Sequence, residues 1–201
     1  MRDGNYAVLD LGTNTFNLLT VKIENNTKTI LNHERVSVKI GKGGIENHLI
    51  TDEACQRAVD AVWQFKKTLD YHKIKNVQAV ATSAFRNASN GHILAERIKQ
   101  ETGIEVHIIN GEKEAELIYF GVKSALDIGD DVSLIMDIGG GSVEFIICDE
   151  HHIFWKKSYE IGAQRLLDKF HVVDPIPTSS IEELYHYLED SLSDLDLSVA
   201  K

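Results

Sequence analysis

Asp137-Ile138-Gly139-Gly140-Gly141-Ser142 follows the apolar run Val132 to Met136, and Asp10-Leu11-Gly12-Thr13-Asn14-Thr15 follows the apolar run Tyr6 to Leu9. Each stretch reads as a strand that ends in an acid, a glycine turn and a hydroxyl residue, with a second β-patterned strand after it. Such a turn gathers backbone N–H groups into one concave spot, and glycine lets a phosphate come close to them. The Thr or Ser hydroxyls add donors, and the aspartate can hold a metal ion or orient a water. One turn of this kind alone is more often an ordinary hairpin. Two copies, each between β-patterned runs, reverse that reading: facing each other they make a clamp for a phosphorylated ligand.

The 201 residues suit one large or two small domains, and 43% hydrophobic residues suffice for a core. Lys and Arg number 21 against 31 Asp and Glu, a net charge of -10. That balance disfavours nucleic acid as a partner, because no broad basic surface neutralises its phosphates. It leaves a phosphorylated substrate open, since a few amides, one Arg and a cation dominate locally. Cys55 and Cys148 stand in unrelated contexts and read as two buried thiols rather than a disulfide or a metal pair. Met1-Arg2-Asp3-Gly4 has no apolar leader, and no run reaches membrane-spanning length. The expectation is a cytoplasmic protein with no membrane partner.

Outward from the two turns the chain reads as α/β. Tyr6 to Asp10, Asn17 to Glu24 and Lys28 to Ile40 form three antiparallel strands, with Asn25-Asn26 as a hairpin turn. Thr51 caps a helix that runs to about Tyr71, and Val59, Val62, Trp63, Phe65 and Leu69 recur on it at core spacing. Val77 to Thr82 is a short buried strand, His92 to Thr102 a helix closed by Gly103, and Glu105 to Ile109 another strand. A helix from Glu112 to about Leu126 presents Leu117, Ile118, Phe120 and Val122 as its apolar face. The order is β-β-β-α-β-α-β-α. The pattern then restarts: Val132 to Asp137, Ser142 to Cys148 and Ile153 to Tyr159 are strands, followed by helices over Gly162 to Phe170 and Ile181 to Leu192. No further strands follow, so the second copy is incomplete within these residues. The expected domains are 1–126, a first ribonuclease H-like lobe, and 127–201, the start of a second.

This duplicated unit resembles the actin-like ATPase, Hsp70 and sugar-kinase superfamily. Three further stretches, Ala81-Thr82-Ser83-Ala84-Phe85-Arg86-Asn87-Ala88, Asn110-Gly111-Glu112-Lys113-Glu114-Ala115-Glu116 and Asp137 through Glu144, resemble the exopolyphosphatase/guanosine pentaphosphate phosphatase (Ppx/GppA) family. Asp10 through Asn17 fits that family's opening motif, and Arg165 in Ile161-Gly162-Ala163-Gln164-Arg165-Leu166 a later one. The resemblance covers essentially the whole chain. It implies two lobes with a cleft between them. It also implies a Mg²⁺-dependent phosphohydrolase that releases terminal orthophosphate from inorganic polyphosphate or guanosine pentaphosphate (pppGpp). Whether a monovalent cation assists is left open. Longer members dimerise through C-terminal regions.

Hydrolysing a terminal phosphoanhydride needs an in-line water, a group that takes its proton, and positive charge on the equatorial oxygens. The residues alone give Glu112, Glu114 and Glu116 equal standing as helix-start acids. The resemblance selects Glu114 as the base. It gives Asp137 and Glu144 to Mg²⁺, with Asp10 facing the metal or the water from the other lobe. Arg86 supplies a planar guanidinium for phosphate, in a loop just past a buried strand. Gly12, Thr13, Asn14 and Thr15, with Gly139, Gly140, Gly141 and Ser142, cradle the phosphates.

Two departures qualify the resemblance. The family carries a basic residue or His where this chain has Asn17, which points to weaker grip on a long polyanion or a smaller substrate. Gly41 to Gly44 resembles the family's glycine loop, though a plain turn explains it as well, and a later glycine-rich loop of the second lobe has no counterpart. Two alternatives come from other classes. One is an ATP-using kinase or ATPase of the same superfamily, and the other a non-catalytic polyphosphate or alarmone sensor. Three acids grouped at a phosphate argue against the sensor.

Overall fold

A computed structural model describes residues 2–199, which divide between Ile109 and Asn110 into two units. In the first, strands β1 (Gly4–Leu11), β2 (Thr15–Glu24) and β3 (Thr27–Ser37) run antiparallel. Strands β4 (Asn76–Ala81) and β5 (Val106–Ile108) lie parallel to β1, giving the order β3-β2-β1-β4-β5. Helices α1 (Asp52–Tyr71), α2 (Ser83–Asn87) and α3 (Gly91–Thr102) lie along the chain between them. The Thr51 hydroxyl accepts the Ala54 N–H at 3.3 Å and starts α1, while Gly103 at φ 75° ends α3 in a conformation that glycine adopts without strain.

Alternate residues of β1 (Ala7, Leu9, Leu11) and β2 (Phe16, Leu18) are buried against Val59, Val62, Phe65, Leu94 and Ile98 of α1 and α3. The period of two puts Val8 and Asp10 on the opposite face. That face holds an open apolar hollow lined by Tyr6, Val8, Leu19, Val21 and Ile23. Trp63 departs from the sequence reading: it is 41% exposed, because the α1 stripe that meets the sheet runs through Val59, Val62, Phe65 and Leu69. β3 ends at Ser37 instead of Ile40, where Lys39 turns to φ 51°.

The second unit contains α4 (Gly111–Ala125), strands β6 (Ser133–Ile138), β7 (Val143–Cys148) and β8 (Ile153–Tyr159), and helices α5 (Ala163–Phe170) and α6 (Thr178–Val199). The strands form one antiparallel sheet, β6-β7-β8. α4 covers one face through Ala115, Ile118 and Tyr119 against Ile135, Ile146, Cys148 and Ile153. α6 covers the other through Tyr187, Leu188, Leu192 and Leu195 against Val143, Phe145 and Tyr159.

Two readings differ here. The expected boundary at 126/127 becomes 109/110, because α4 buries its stripe on the sheet of β6, β7 and β8. The stripe itself is also different: Leu117 and Phe120 are exposed, at 41% and 53%, while Ala115 and Tyr119 face inward. The Tyr119 hydroxyl donates to the carbonyls of Asp149 and Glu150, both at 3.1 Å, which satisfies a phenol that would be costly to bury alone. Among the described residues β6 has one strand neighbour where its counterpart β1 has two. Asp194 of α6 is held below the ordinary aspartate range by hydrogen bonds from Lys157 and Tyr159, and Tyr159 is raised by burial and by that carboxylate.

Candidate active site

The two glycine turns close in the same way. Gly12 N–H donates to the Thr15 carbonyl at 3.1 Å, and Gly139 N–H to the Ser142 carbonyl at 3.0 Å. A Cβ on either glycine would stand 3.0 Å from that same carbonyl oxygen, so both positions favour glycine for space. The outward carbonyls are committed to protein. In the first unit the Thr13 carbonyl accepts Gly41 N–H at 3.3 Å, and the Asn14 carbonyl accepts Val38 and Lys39 N–H at 3.0 and 2.9 Å. In the second, the Gly139 carbonyl accepts Ala163 N–H at 2.9 Å, the Gly140 carbonyl Gln164 N–H at 2.8 Å, and the Gly141 carbonyl Gly162 N–H at 3.2 Å. Because a trans peptide points its C=O and N–H in opposite directions, the N–H groups of Asn14, Thr15, Gly140, Gly141 and Ser142 are turned away from these braces. That is the arrangement an anion needs.

Arg165 is part of the brace rather than the ligand surface. It is 7% exposed, donates Nε to the Gly141 carbonyl at 3.2 Å and pairs Nη2 with Glu160 at 3.0 Å.

Strand register sets the acids in rows. Asp10 lies opposite Asn17, and Asn17 opposite Arg35, across β1, β2 and β3. Asp137 lies opposite Glu144, and Glu144 opposite Ser158, across β6, β7 and β8. Directly opposed residues share a face. In the first row Asn17 Nδ2 donates to Asp10 Oδ2 at 3.2 Å. In the second the Ser158 hydroxyl donates to Glu144 Oε1 at 2.7 Å, and Glu144 is 1% exposed.

Asn110 fixes where α4 begins: its Oδ1 accepts Lys113 N–H at 2.8 Å, which places Glu112 and Glu114 in the first turn. The far end of α4 is anchored by Tyr119 at Asp149 and Glu150, beyond the end of β7. Its N-terminus therefore lies at the end of the sheet that carries Glu144 and Ser158, and Asn110, Gly111 and Glu112 line a cavity of about 400 Å³ with Lys156, Lys157 and Ser158. Glu114 stands one turn before Ile118, on the side of α4 that packs on the sheet. The second unit thus brings Glu114, Asp137, Glu144 and the turn 139–142 to one end of one sheet face.

In the first unit the C-terminal ends of β1, β4 and β5 share an edge, the position where open α/β sheets bind ligands. Thr82 N–H donates to the Leu11 carbonyl at 3.4 Å, joining the β4 end to the Asp10 turn. Arg86 follows on the short helix α2, not on a loop, and its Nη1 donates to the Ile109 carbonyl at 3.2 Å. A five-residue helix is too short for periodicity to reveal.

The donor set fits Mg²⁺. Asp137 and Glu144 lie opposite each other across β6 and β7 and offer carboxylate oxygens, the donors a hard divalent cation takes. Among the described residues no group of three or more His, Cys, Asp or Glu side chains converges as a metal cage. Sequence reading missed Ser158 and the bracing role of Gly162, since both depend on register and close approach between distant segments.

Residues 19–201 match the model of the Ppx/GppA phosphatase family. A guanosine-5'-triphosphate,3'-diphosphate pyrophosphatase of Aliivibrio fischeri is 36% identical over 142 residues, 71% of this chain and 28% of that protein. A putative exopolyphosphatase of Haemophilus influenzae is 29% identical over 97% of this chain and 60% of its own length. The crystal structure of an exopolyphosphatase from Cytophaga hutchinsonii superposes with a TM-score of 0.95 at 45% identity, over 98% of this chain and 63% of that one. The chain therefore spans less than two thirds of the length of each of these three relatives. Its fold is that of the actin-like ATPases, no helix among the described residues is long and apolar enough to cross a membrane, and the chain belongs to the Ppx/GppA phosphatase family.

Proposed function

We propose that the chain carries the phosphate-binding and water-activating parts of a Mg²⁺-dependent phosphohydrolase that releases terminal orthophosphate from inorganic polyphosphate or pppGpp. The observation that carries this reading is the pair of glycine turns, closed by equivalent hydrogen bonds and with their carbonyls committed to protein. A turn whose carbonyls are occupied presents N–H groups, and N–H groups in a concave spot recognise phosphate.

Glu114 takes a proton from the attacking water. The water oxygen bonds to the terminal phosphorus, the bridging P–O bond breaks, and the shortened phosphate chain leaves with that oxygen. Asp137 and Glu144 would hold Mg²⁺, which when bound neutralises charge on the phosphoryl oxygens. Arg86 would add a bidentate contact to an equatorial oxygen. Ser158 holds Glu144 in one rotamer. Asn17 Nδ2 holds Asp10 beside the first glycine turn. We also place the protein in the cytoplasm, where these substrates occur.

The test is orthophosphate release from polyphosphate, pppGpp and ATP, each with Mg²⁺ and with EDTA. It uses the 201-residue chain and, where the encoding sequence continues past Lys201, the longer protein. The expected outcome is metal-dependent release from one of the first two. Release that survives EDTA removes Mg²⁺ from the account, and no release from any substrate removes the hydrolase.

A further inference from the structure

The row Asp10–Asn17–Arg35 is the counterpart of Asp137–Glu144–Ser158, yet the two differ in charge. The second row holds two carboxylates and no cation. The first holds one carboxylate and one guanidinium, with the neutral Asn17 between them. We infer that Arg35 is a substrate-binding residue, which grips a phosphate chain held at the Gly12–Thr15 turn and supplies the positive charge that position 17 lacks. The inference rests on the phosphohydrolase reading.

The geometry is set by register. Opposed residues on neighbouring antiparallel strands have Cβ atoms about 5 Å apart. Arg35 therefore lies about two strand spacings, roughly 10 Å, from Asp10 on the same face. A long side chain and a phosphate oxygen bridge that span from opposite ends. Asn17 brings no charge to the row, and its amide Nδ2 donates to Asp10. Arg35 is exposed, and among the described residues its side chain makes no hydrogen bond or ion pair, so no protein acid would have to be displaced for it to meet an anion. Glu34, the adjacent acid, points to the other face, where Thr68 and Gln64 of α1 donate to it at 2.6 and 3.3 Å. The same face continues from Arg35 to His33, which lies opposite Leu19.

On phosphates away from the scissile bond, attraction aids binding but not the chemical step. The competing account is that Arg35 merely keeps an edge strand soluble, since β3 is an edge of the first sheet. That role predicts no change in substrate affinity.

The experiment compares wild type, Arg35→Gln and the double variant Asn17→Arg/Arg35→Gln. It measures kcat and KM for orthophosphate release from polyphosphate, and separately equilibrium binding of labelled polyphosphate. Arg35→Gln is expected to raise KM by about tenfold or more with kcat within about twofold, as for loss of one charge-assisted contact made equally in ground and transition states. Its melting temperature should stay at the wild-type value. The double variant should recover most of the affinity. Unchanged KM and binding in Arg35→Gln, or a double variant as weak as Arg35→Gln, overturns the inference. If wild type releases no orthophosphate, the phosphohydrolase reading fails, and the binding measurement decides on Arg35: equal affinities for wild type and Arg35→Gln overturn it.

Discussion

Glu114→Gln is expected to abolish orthophosphate release while leaving substrate binding intact. The amide keeps the shape of the side chain and its place in the first turn of α4, where Asn110 caps the helix regardless of what stands at position 114. What is lost is a group that accepts a proton. General-base assistance contributes about 10²–10⁴-fold, so kcat should fall by that much and KM by little. Glu116→Gln is the control. Glu116 pairs with Lys113 at 2.9 Å, and the Lys113 hydrogen bond holds its carboxyl below the usual range. It is a surface partner on the same helix, and removing it should leave kcat within about threefold, because exposed pairs of this kind contribute little. Initial rates for the two variants and wild type, with titrated binding of labelled polyphosphate, settle which of the helix-start acids is the base. A Glu114→Gln variant that turns over normally would strike Glu114 from the mechanism.

Gly162→Ala should be nearly as damaging without touching any substrate. A Cβ there would lie 2.4 Å from the Gly141 carbonyl carbon, 2.5 Å from that of Gly140 and 2.5 Å from the Gly141 nitrogen. All three are backbone atoms of the glycine turn, so no side chain can swing aside. The backbone at Gly162 (φ -66°, ψ 159°) suits alanine, which leaves contact as the whole objection. The start of α5 and the turn must separate. That breaks or lengthens the hydrogen bonds from Gly162, Ala163 and Gln164 that hold the turn's carbonyls. Overpacking of this kind costs about 1–3 kcal/mol of stability. A displacement near 1 Å at a site that positions a reacting group costs on the order of 10²-fold in rate. Gly103→Ala separates the two effects. Gly103 has φ 75° and nothing within 4 Å of its Cβ position, so alanine there strains the backbone at the end of α3 without meeting either turn. A comparable fall in melting temperature with normal turnover is expected for Gly103→Ala, and a much larger fall in turnover for Gly162→Ala. Equal turnover in the two variants would mean that the α5 brace does not position the turn.

The parts of this molecule with local causes were legible in the sequence. Asp-x-Gly followed by a hydroxyl residue carries its own reason for a tight turn. The β-β-β-α order follows from period and from caps such as Thr51 and Gly103. The parts that depend on partners distant in the chain were not. Trp63, Leu117 and Phe120 lie on apolar stripes, but which edge of a stripe is buried depends on the sheet it meets. The unit boundary moved from 126 to 109 for the same reason: α4 has a face to bury, and its own sequence does not say on which sheet. Within the site, Asp137 and Glu144 were placed together by motif, but their direct opposition across β6 and β7 is a matter of register. So are the Ser158 hydroxyl on Glu144 and the position of Arg35 beside Asn17. The absence of a basic residue at position 17 was visible as a departure. The guanidinium one strand away was not, because Arg35 in isolation is one charged residue on an alternating strand.

The central claim is that water, not a second substrate, receives the phosphoryl group. The most direct measurement is turnover of polyphosphate in water labelled with heavy oxygen, with mass analysis of the orthophosphate released. The account predicts one solvent oxygen in each orthophosphate from a single hydrolytic event, with no acceptor added. Orthophosphate that carries no solvent oxygen would put the attack on the penultimate phosphorus and contradict the proposed step. Turnover that begins only when an alcohol or nucleotide acceptor is supplied, with the phosphoryl group on that acceptor, would identify a phosphotransferase.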